Sequence, residues 1–224
     1  MNKKLIINEM LSNNIHLGHK KNLLNKSMEL YVLNLNNKIH IINLEITLRF
    51  LVKIKKILGD LKKSNKKIMI VCVEKNTRKL VKTYSERVNM PYVNKRWLGG
   101  GLTNFKTLKG SIDNMNYIKI ILKDNKFKMK KKRKKILKKK LKKLKSFLNG
   151  LKNLKNLPNY IFVINVKKNK NLLKESKKMK IPSIAVVDTN NSTENIDYLI
   201  PGNDDSFKSI IFYIKKITGY INNE

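Results

Sequence analysis

Two histidines near the start of the chain and two aspartates near its end have the side chains best suited to binding a metal ion. His16 and His19 are three residues apart, and Asp204 and Asp205 are adjacent. Imidazole nitrogens and carboxylate oxygens together form zinc sites in proteins. Two histidines without a third ligand close by in the sequence are a weak signal, and capping, packing or contact with RNA is the commoner role. The sequence therefore predicts no bound metal and no other cofactor.

Catalytic side chains do not occur along the sequence in a recognisable arrangement. Asp188 follows the apolar run 183–187, where α/β enzymes often hold a catalytic group, but no nucleophile or base accompanies it in a known motif. Cys72 is the only cysteine, and its place within the apolar run 68–73 is typical of a small buried residue. The sequence therefore predicts a protein that is not an enzyme.

The segment 94–106 combines residue types that suit contact with a nucleic-acid backbone. It contains the only tryptophan, Trp97, and the triplet Gly99–Gly101, directly after Lys95 and Arg96. The glycines lack the spacing of a dinucleotide-binding loop and the Lys-Ser/Thr of a P-loop. Two roles stay open: a structural bend that needs positive φ or close packing, and a loop whose cations and glycines meet RNA phosphates. We expect Trp97 in the core rather than stacked on a base.

The densest charge lies between residues 123 and 145, which contain 15 Lys or Arg and one acid, Asp124. Like charges four residues apart destabilise a helix by about 0.2–0.5 kcal/mol per pair, and RNA phosphates would relieve this repulsion while releasing counterions. The alternative is a solvated helix face produced by codon drift, because 46 of the 51 cations are Lys and Ala occurs once, as in AT-rich genomes. The charge density favours RNA. The predicted RNA-binding residues are Lys95, Arg96, Gly99, Gly100, Asn104, Lys106, Lys109, Lys130, Lys131, Lys132, Arg133, Lys134, Lys135, Lys138 and Lys139.

The net charge of +36 over 224 residues indicates a polyanionic partner. Nucleic acid is the first expectation and an anionic membrane surface the second. The apolar run at the N-terminus ends at Asn8, which argues against a secretory signal, and no run approaches the ~18 apolar residues of a membrane span. We therefore expect a soluble, intracellular protein. A membrane partner is not expected. A membrane-surface helix needs an exposed apolar face, whereas the apolar seam of the predicted basic hairpin, 104–151, is used between its two helices.

The elements that would position these residues follow from the hydrophobic pattern. Apolar runs that alternate with helical patterns predict an α/β fold, doubly wound, with a mostly parallel, flavodoxin-like sheet. Two short apolar segments, 31–33 and 39–41, flank the Asn-rich turn 34–38 and predict a β-hairpin. The predicted strands are 67–73, 91–93, 160–166, 183–187 and 198–200, and the predicted helices are 2–14, 47–63, 76–89, 169–179 and 207–221.

Residues 104–151 have a different pattern, in which apolar residues recur at spacings of three and four. Two such segments predict a pair of helices packed as an antiparallel coiled coil, with a turn near 123–126. The seam residues are Phe105, Leu108, Ile112 and Met115 in the first helix and Leu137, Leu141, Leu144, Leu148 and Leu151 in the second. The sequence therefore predicts a discontinuous α/β domain, 1–103 plus 152–224, with an inserted basic hairpin, 104–151.

The segment Asn94–Phe105, NKRWLGGGLTNF, resembles the NHRWLGGMLTN signature of the small-subunit ribosomal protein S2 family in its bacterial and organellar form. Further stretches match this family in the same order, from about residue 8 to residue 220. They are His16–His19, Asn37–Glu45, and Val187–Asn190 followed by Ile200–Asp205. The chain departs from the family pattern at Gly101, where Met is usual, and at Glu74, where Lys is usual.

The resemblance implies a structural constituent of the small ribosomal subunit that binds its ribosomal RNA through the Lys-rich hairpin and the 94–106 loop. It also implies a place where head and body of the subunit meet, with neighbouring small-subunit proteins as partners. The alternatives are a flavodoxin-like nucleotide-binding protein that uses 99–101 and 201–205, or a basic membrane-surface protein. We expect no homo-oligomer. The Lys- and Asn-rich composition suggests a ribosome in the cytoplasm of a reduced AT-rich bacterium, or in a mitochondrion or plastid.

Overall fold

A computed structural model describes residues 3–64, 66–124 and 130–222 of the chain. The helices in these ranges are α1 (Lys3–Ser12), α2 (Leu44–Lys63), α3 (Arg78–Arg87), α4 (Phe105–Lys123), α5 (Lys131–Leu148), α6 (Lys170–Lys178) and α7 (Phe207–Asn222). The strands are β1 (Leu17–Lys20), β2 (Val32–Asn36), β3 (Ile39–Ile42), β4 (Ile68–Cys72), β5 (Tyr92–Val93), β6 (Tyr160–Ile164), β7 (Ser183–Val187) and β8 (Tyr198–Pro201).

Five of these strands form a parallel sheet in the order β5-β4-β6-β7-β8. β4 and β7 are buried along their whole length, as expected for continuous apolar strands covered by helices on both faces. In chain order the five strands follow the flavodoxin arrangement, and the order reverses between β4 and β6. The predicted doubly wound fold is confirmed.

Side chains of the parallel sheet point alternately into two hydrophobic cores. On one face, Ile68, Ile70 and Cys72 of β4 pack with residues of α1, α2, α3 and α7. On the other face, Met69 and Val71 of the same strand belong to a core that includes α6 and buried residues of α4 and α5. This alternation is the two-residue period of a strand. The basic hairpin is therefore joined to the second core of the α/β domain.

Helices α4 and α5 pack against each other as an antiparallel pair. Leu108, near the start of α4, shares a cleft with Phe147 at the end of α5, whereas Lys119, near the end of α4, shares a cleft with Lys138. Six predicted seam residues are buried, namely Leu108, Ile112, Met115, Leu141, Leu148 and Leu151. Asp124 follows α4, and the predicted turn beyond it, residues 125 and 126, lies outside the described residues.

A second, antiparallel sheet has the strand order β1-β3-β2. β2 and β3 form the predicted hairpin, but β2 continues to Asn36, so the turn is the pair Asn37 and Lys38 with φ of 47° and 65°. Positive φ at both central residues is typical of the tight turn that suits strand twist. β1 was not predicted, because its four residues show no alternation. It pairs with β3 and carries His19 into the fold.

One helix begins earlier than its apolar pattern predicts. α2 starts at Leu44 rather than at residue 47, because the side-chain oxygen of Asn43 accepts hydrogen bonds from the backbone N–H of Glu45 at 3.0 Å and of Ile46 at 3.4 Å. Such a cap satisfies donors at a helix start that have no partner within the helix. Of the helices in the described ranges, none is both long enough and apolar enough to cross a membrane.

Candidate nucleic-acid interface

A groove between the hairpin and the loop that precedes it collects lysines from three segments. Lys95 of the loop, Lys119 of α4, and Lys138, Lys142 and Lys145 of α5 line a cleft of about 660 Å³, which we call the lysine groove. The residues that line it include no acid. Like charges placed so close repel one another, and phosphate groups would neutralise them. The structure thus joins two predicted residues, Lys95 and Lys138, with three that sequence analysis did not name.

The other predicted residues of the hairpin are exposed, namely Asn104, Lys106, Lys109, Lys130, Lys131, Lys132, Arg133, Lys134, Lys135 and Lys139. No ion pair within the described ranges involves a cation of α5. The first turn of α5 has no acidic residue, and no side chain caps it. The first residues of α5, Lys131, Lys132 and Arg133, therefore lie at the positive end of the helix dipole. Cations at this end destabilise the isolated helix and favour an anionic partner.

Glu175 of α6 holds the loop at the root of the hairpin. Its Oε1 accepts hydrogen bonds from Nε1 of Trp97 at 3.1 Å and from the backbone N–H of Gly100 at 2.8 Å. Its Oε2 accepts from the backbone N–H of Leu102 at 2.9 Å. One carboxylate thus fixes three donors of a loop more than 70 residues away in the chain. Sequence analysis missed Glu175, whose only local signal is that it is the one acid in a Lys-rich helix.

The bend of the loop explains two glycines of the triplet, Gly100 and Gly101, but it does not explain Gly99. Gly100 has φ of +82°, which side-chain-bearing residues rarely adopt. A Cβ on Gly101 would lie 2.5 Å from Cζ2 of Trp97, so the indole ring occupies that space. Trp97 itself is 8% exposed and belongs to the core, as predicted. Apart from its neighbours in the chain, Gly99 has no heavy atom of the described residues within 4 Å of the position of a Cβ, so its backbone leaves room for the close approach of a ligand.

His19 connects the antiparallel sheet to the ends of β7 and β8. Its Nδ1 lies 3.1 Å from Oδ1 of Asp188, and its Nε2 lies 3.3 Å from Oδ2 of Asp205. The first contact is at ion-pair distance, but its angle does not favour a well-formed hydrogen bond. The backbone N–H of His19 also donates to Oγ1 of Thr189 at 2.8 Å. Both ring nitrogens therefore lie within ion-pair distance of a carboxylate, which suits a structural link.

The charges around this link shift the pKa of its members. The contact with Asp188 raises the pKa of His19, although partial burial opposes this shift, and the charges of Asp205 and Asp204 add to it. Burial raises the pKa of Asp204 well above its ordinary value, and repulsion from Asp188 and Asp205 acts in the same direction. The folded protein therefore holds the protons of His19 and of Asp204 more tightly than the unfolded chain does.

The predicted metal candidates do not assemble into one set. His19 faces Asp205, but the Nδ1 of His16 is buried without a hydrogen-bond partner, and burial lowers the pKa of His16. Across residues 3–64, 66–124 and 130–222, no group of three or more His, Cys, Asp or Glu could hold a metal ion. The two segments of the alternative nucleotide site are not brought together in one cleft. The cleft lined by Gly99–Gly101 contains no residue from 201–205.

The structure is that of a basic α/β protein of flavodoxin topology, with a lysine-rich helical hairpin and the lysine groove at the root of this hairpin. Residues 10–223 match the family model described as Ribosomal protein S2. The chain is 38% identical over 210 residues to the small ribosomal subunit protein uS2 of Hahella chejuensis (strain KCTC 2396), an overlap that covers 93% of this chain and 83% of that relative. The chain belongs to the ribosomal protein S2 family, whose members are structural, non-enzymatic proteins of translation.

Proposed function

We propose that this chain is a structural constituent of the small ribosomal subunit and binds its ribosomal RNA through the hairpin and the 94–106 loop. The observation that supports this most strongly is the lysine groove, where five lysines and no acid line one cleft. Lysine is a compact point charge that suits phosphate contact rather than base recognition. RNA in the groove would therefore be held by its backbone, with little dependence on base sequence.

The loop has a distinct part in this proposal. Lys95 belongs to the lysine groove, and the open backbone at Gly99 allows a sugar–phosphate chain to come close. The carboxylate of Glu175 keeps this segment in one conformation, so binding does not have to order it. The bend and the docking surface are two roles of the same loop.

We also propose the domain division 1–103 plus 152–224 and 104–151, with the hairpin as the RNA-binding arm. Neighbouring small-subunit proteins are the further partners, and the α/β domain supplies the surface for them. The Lys- and Asn-rich composition, which is typical of proteins from AT-rich genomes, supports a source in a reduced bacterium or an organelle.

A charge-removal experiment tests the groove. Lys138→Gln, Lys142→Gln and Lys145→Gln are combined in one variant of the full chain, and affinity for a small-subunit ribosomal RNA transcript is measured over a range of salt. Each phosphate contact contributes about 0.7–0.9 to the slope of log affinity against log salt. The groove variant should therefore lose about two to three units of slope.

The matched control removes the same charge from the opposite face of the sheet. Lys56 of α2 and Lys208 and Lys215 of α7 are exposed there, and all three become Gln in the control. The control should keep the slope and affinity of the original chain. Equal losses in the two variants would mean that the net charge, and not the groove, binds RNA.

A further inference from the structure

A second basic cleft lies where the strand order of the parallel sheet reverses. β4 and β6 are neighbours at this point, and the segments that follow them contribute Glu74, Lys75, Arg78 and Lys168. With Arg96 of the loop, these residues line a cleft of about 560 Å³. In open α/β sheets, the crevice beyond the carboxyl ends of such strands is the usual place for a ligand.

The one carboxylate in this cleft already has partners. Lys168 Nζ and Glu74 Oε1 form an ion pair, and Nδ2 of Asn165 donates to the same oxygen at 3.1 Å. Lys75, Arg78 and Arg96 make no ion pair with any described residue. Three cations are therefore left to act on whatever enters the cleft.

Arg78 has a feature that its place in the fold does not explain. Its Nε is buried and has no hydrogen-bond partner among the described residues. A buried guanidinium donor without an acceptor destabilises a protein, so such groups are normally paired. An anion in the cleft would supply the missing acceptor, and guanidinium matches the oxygens of phosphate in a fork geometry.

Two further observations point to phosphate. α3 begins at Arg78 with no capping side chain and no acid in its first turn, so its positive dipole end is not neutralised. The chain has five arginines, and two of them meet in this cleft. Codon drift toward AT-rich codons adds lysine rather than arginine, so drift does not account for this pair.

We propose that the cleft formed by Lys75, Arg78, Arg96 and Lys168 binds one phosphate group, and that this group is a phosphodiester of the RNA backbone. The assignment to RNA rests on the proposed function. It is favoured over a free nucleotide by continuity, because Lys95 lines the lysine groove while the next residue, Arg96, lines this cleft. An RNA strand that leaves the lysine groove can therefore cross the loop at Lys95 and Arg96 and reach the second cleft.

The test compares two pairs of arginines in the full chain. Arg78→Met with Arg96→Gln empties the cleft of guanidinium, and Arg49→Gln with Arg87→Gln removes the same charge from exposed positions elsewhere. The cleft variant should bind a small-subunit ribosomal RNA transcript about tenfold more weakly, with a salt slope lower by about one unit. The control pair should change neither. Inorganic pyrophosphate should compete with RNA for the original chain and less well for the cleft variant.

Several outcomes would overturn the inference. If both arginine pairs change the RNA slope equally, or neither does, the cleft is not an RNA-phosphate site. If only the cleft variant loses saturable binding of a nucleoside triphosphate while its RNA slope is unchanged, the ligand is a free nucleotide instead. If the cleft variant keeps its RNA affinity while the lysine-groove variant loses it, the proposed function stands and this inference fails. If the RNA affinity of the original chain does not depend on salt, the proposed function fails. If the cleft variant then binds pyrophosphate as well as the original chain does, the phosphate site is overturned as well.

Arg78→Met alone separates binding from structure. A structural arginine stabilises the fold, so its loss would lower the melting temperature. An arginine kept for a ligand leaves the melting temperature of the ligand-free protein unchanged or raises it, because the unpartnered donor is gone. A clear drop in melting temperature with unchanged RNA affinity would assign Arg78 to the fold and overturn its role in the cleft.

Discussion

The imidazole of His19 links two parts of the molecule that are far apart in the chain. It joins β1 to Asp188 and Asp205, which follow strands of the parallel sheet. The raised pKa of His19 means that the folded state binds its proton more tightly than the unfolded chain does. This contribution to the free energy of unfolding is therefore fully present below the ordinary pKa of 6.5 and is lost as pH rises through the folded-state pKa.

We expect the replacement His19→Gln to remove a pH-dependent part of the stability. The free energy of unfolding in urea, measured at several pH values, should differ most between the original chain and the variant near about pH 6. The difference should shrink as pH rises beyond the folded-state pKa. A difference that stays constant over this range would show that the charge of His19 does not stabilise the link.

His16→Gln is the natural control for this measurement. Burial lowers the pKa of His16, so its effect has the opposite sign: stability is lost as pH falls below 6.5 through the folded-state pKa. The two replacements should therefore change the pH dependence of the free energy of unfolding in opposite directions. The sequence motif alone did not distinguish these two histidines, because the distinction depends on contacts with residues about 170 positions away.

The loop between β5 and α4 is positioned by an element that sequence reasoning did not connect to it. Trp97, Gly100 and Leu102 all donate hydrogen bonds to Glu175 of α6. Trp97 and Leu102 are buried, so their donors have little access to water if the carboxylate is removed. α6 therefore holds the loop that leads into the hairpin.

We expect Glu175→Ala to destabilise the protein by about 3 kcal/mol, because each buried donor left without a partner costs about 1–3 kcal/mol. Urea unfolding measures this loss. RNA affinity should also fall, since the loop would have to be ordered on binding. Glu194→Ala, at an exposed position, is the matched control and should be close to neutral. Equal stability of the two variants would contradict the role assigned to Glu175.

At the scale of elements, local periodicity accounts for what could be predicted. Short apolar runs in the sequence predict the buried strands β4, β6 and β7. Apolar residues spaced three and four apart predict the seam of α4 and α5. β1 could not be predicted, because four residues without alternation depend on contacts that are distant in sequence, such as the pairing with β3 and the hydrogen bond from His19 to Thr189. The lysine groove is similar: Lys119, Lys142 and Lys145 join Lys95 only once the two helices pack.

The distribution of charge over the whole molecule bears on whether the lysine excess is drift alone. Several lysines away from the hairpin are paired with acids, as in Lys3 with Glu45 and Lys216 with Glu9. α5 has no such pair within the described residues. Five of the eight residues that line the lysine groove are lysines, whereas lysine makes up 46 of the 224 residues of the chain, so random gain of lysine does not account for the groove. The asymmetry supports a polyanion on the hairpin side.

The most direct test of the central claim is sedimentation of ribosomes from cells that express the tagged full chain. At low magnesium the subunits separate on a sucrose gradient, and immunoblotting locates the protein. We predict that it travels with the small subunit and that the variant with Lys138, Lys142 and Lys145 changed to Gln is depleted from that fraction. Recovery of the original chain only at the top of the gradient, or with the large subunit, would contradict a structural role in the small subunit.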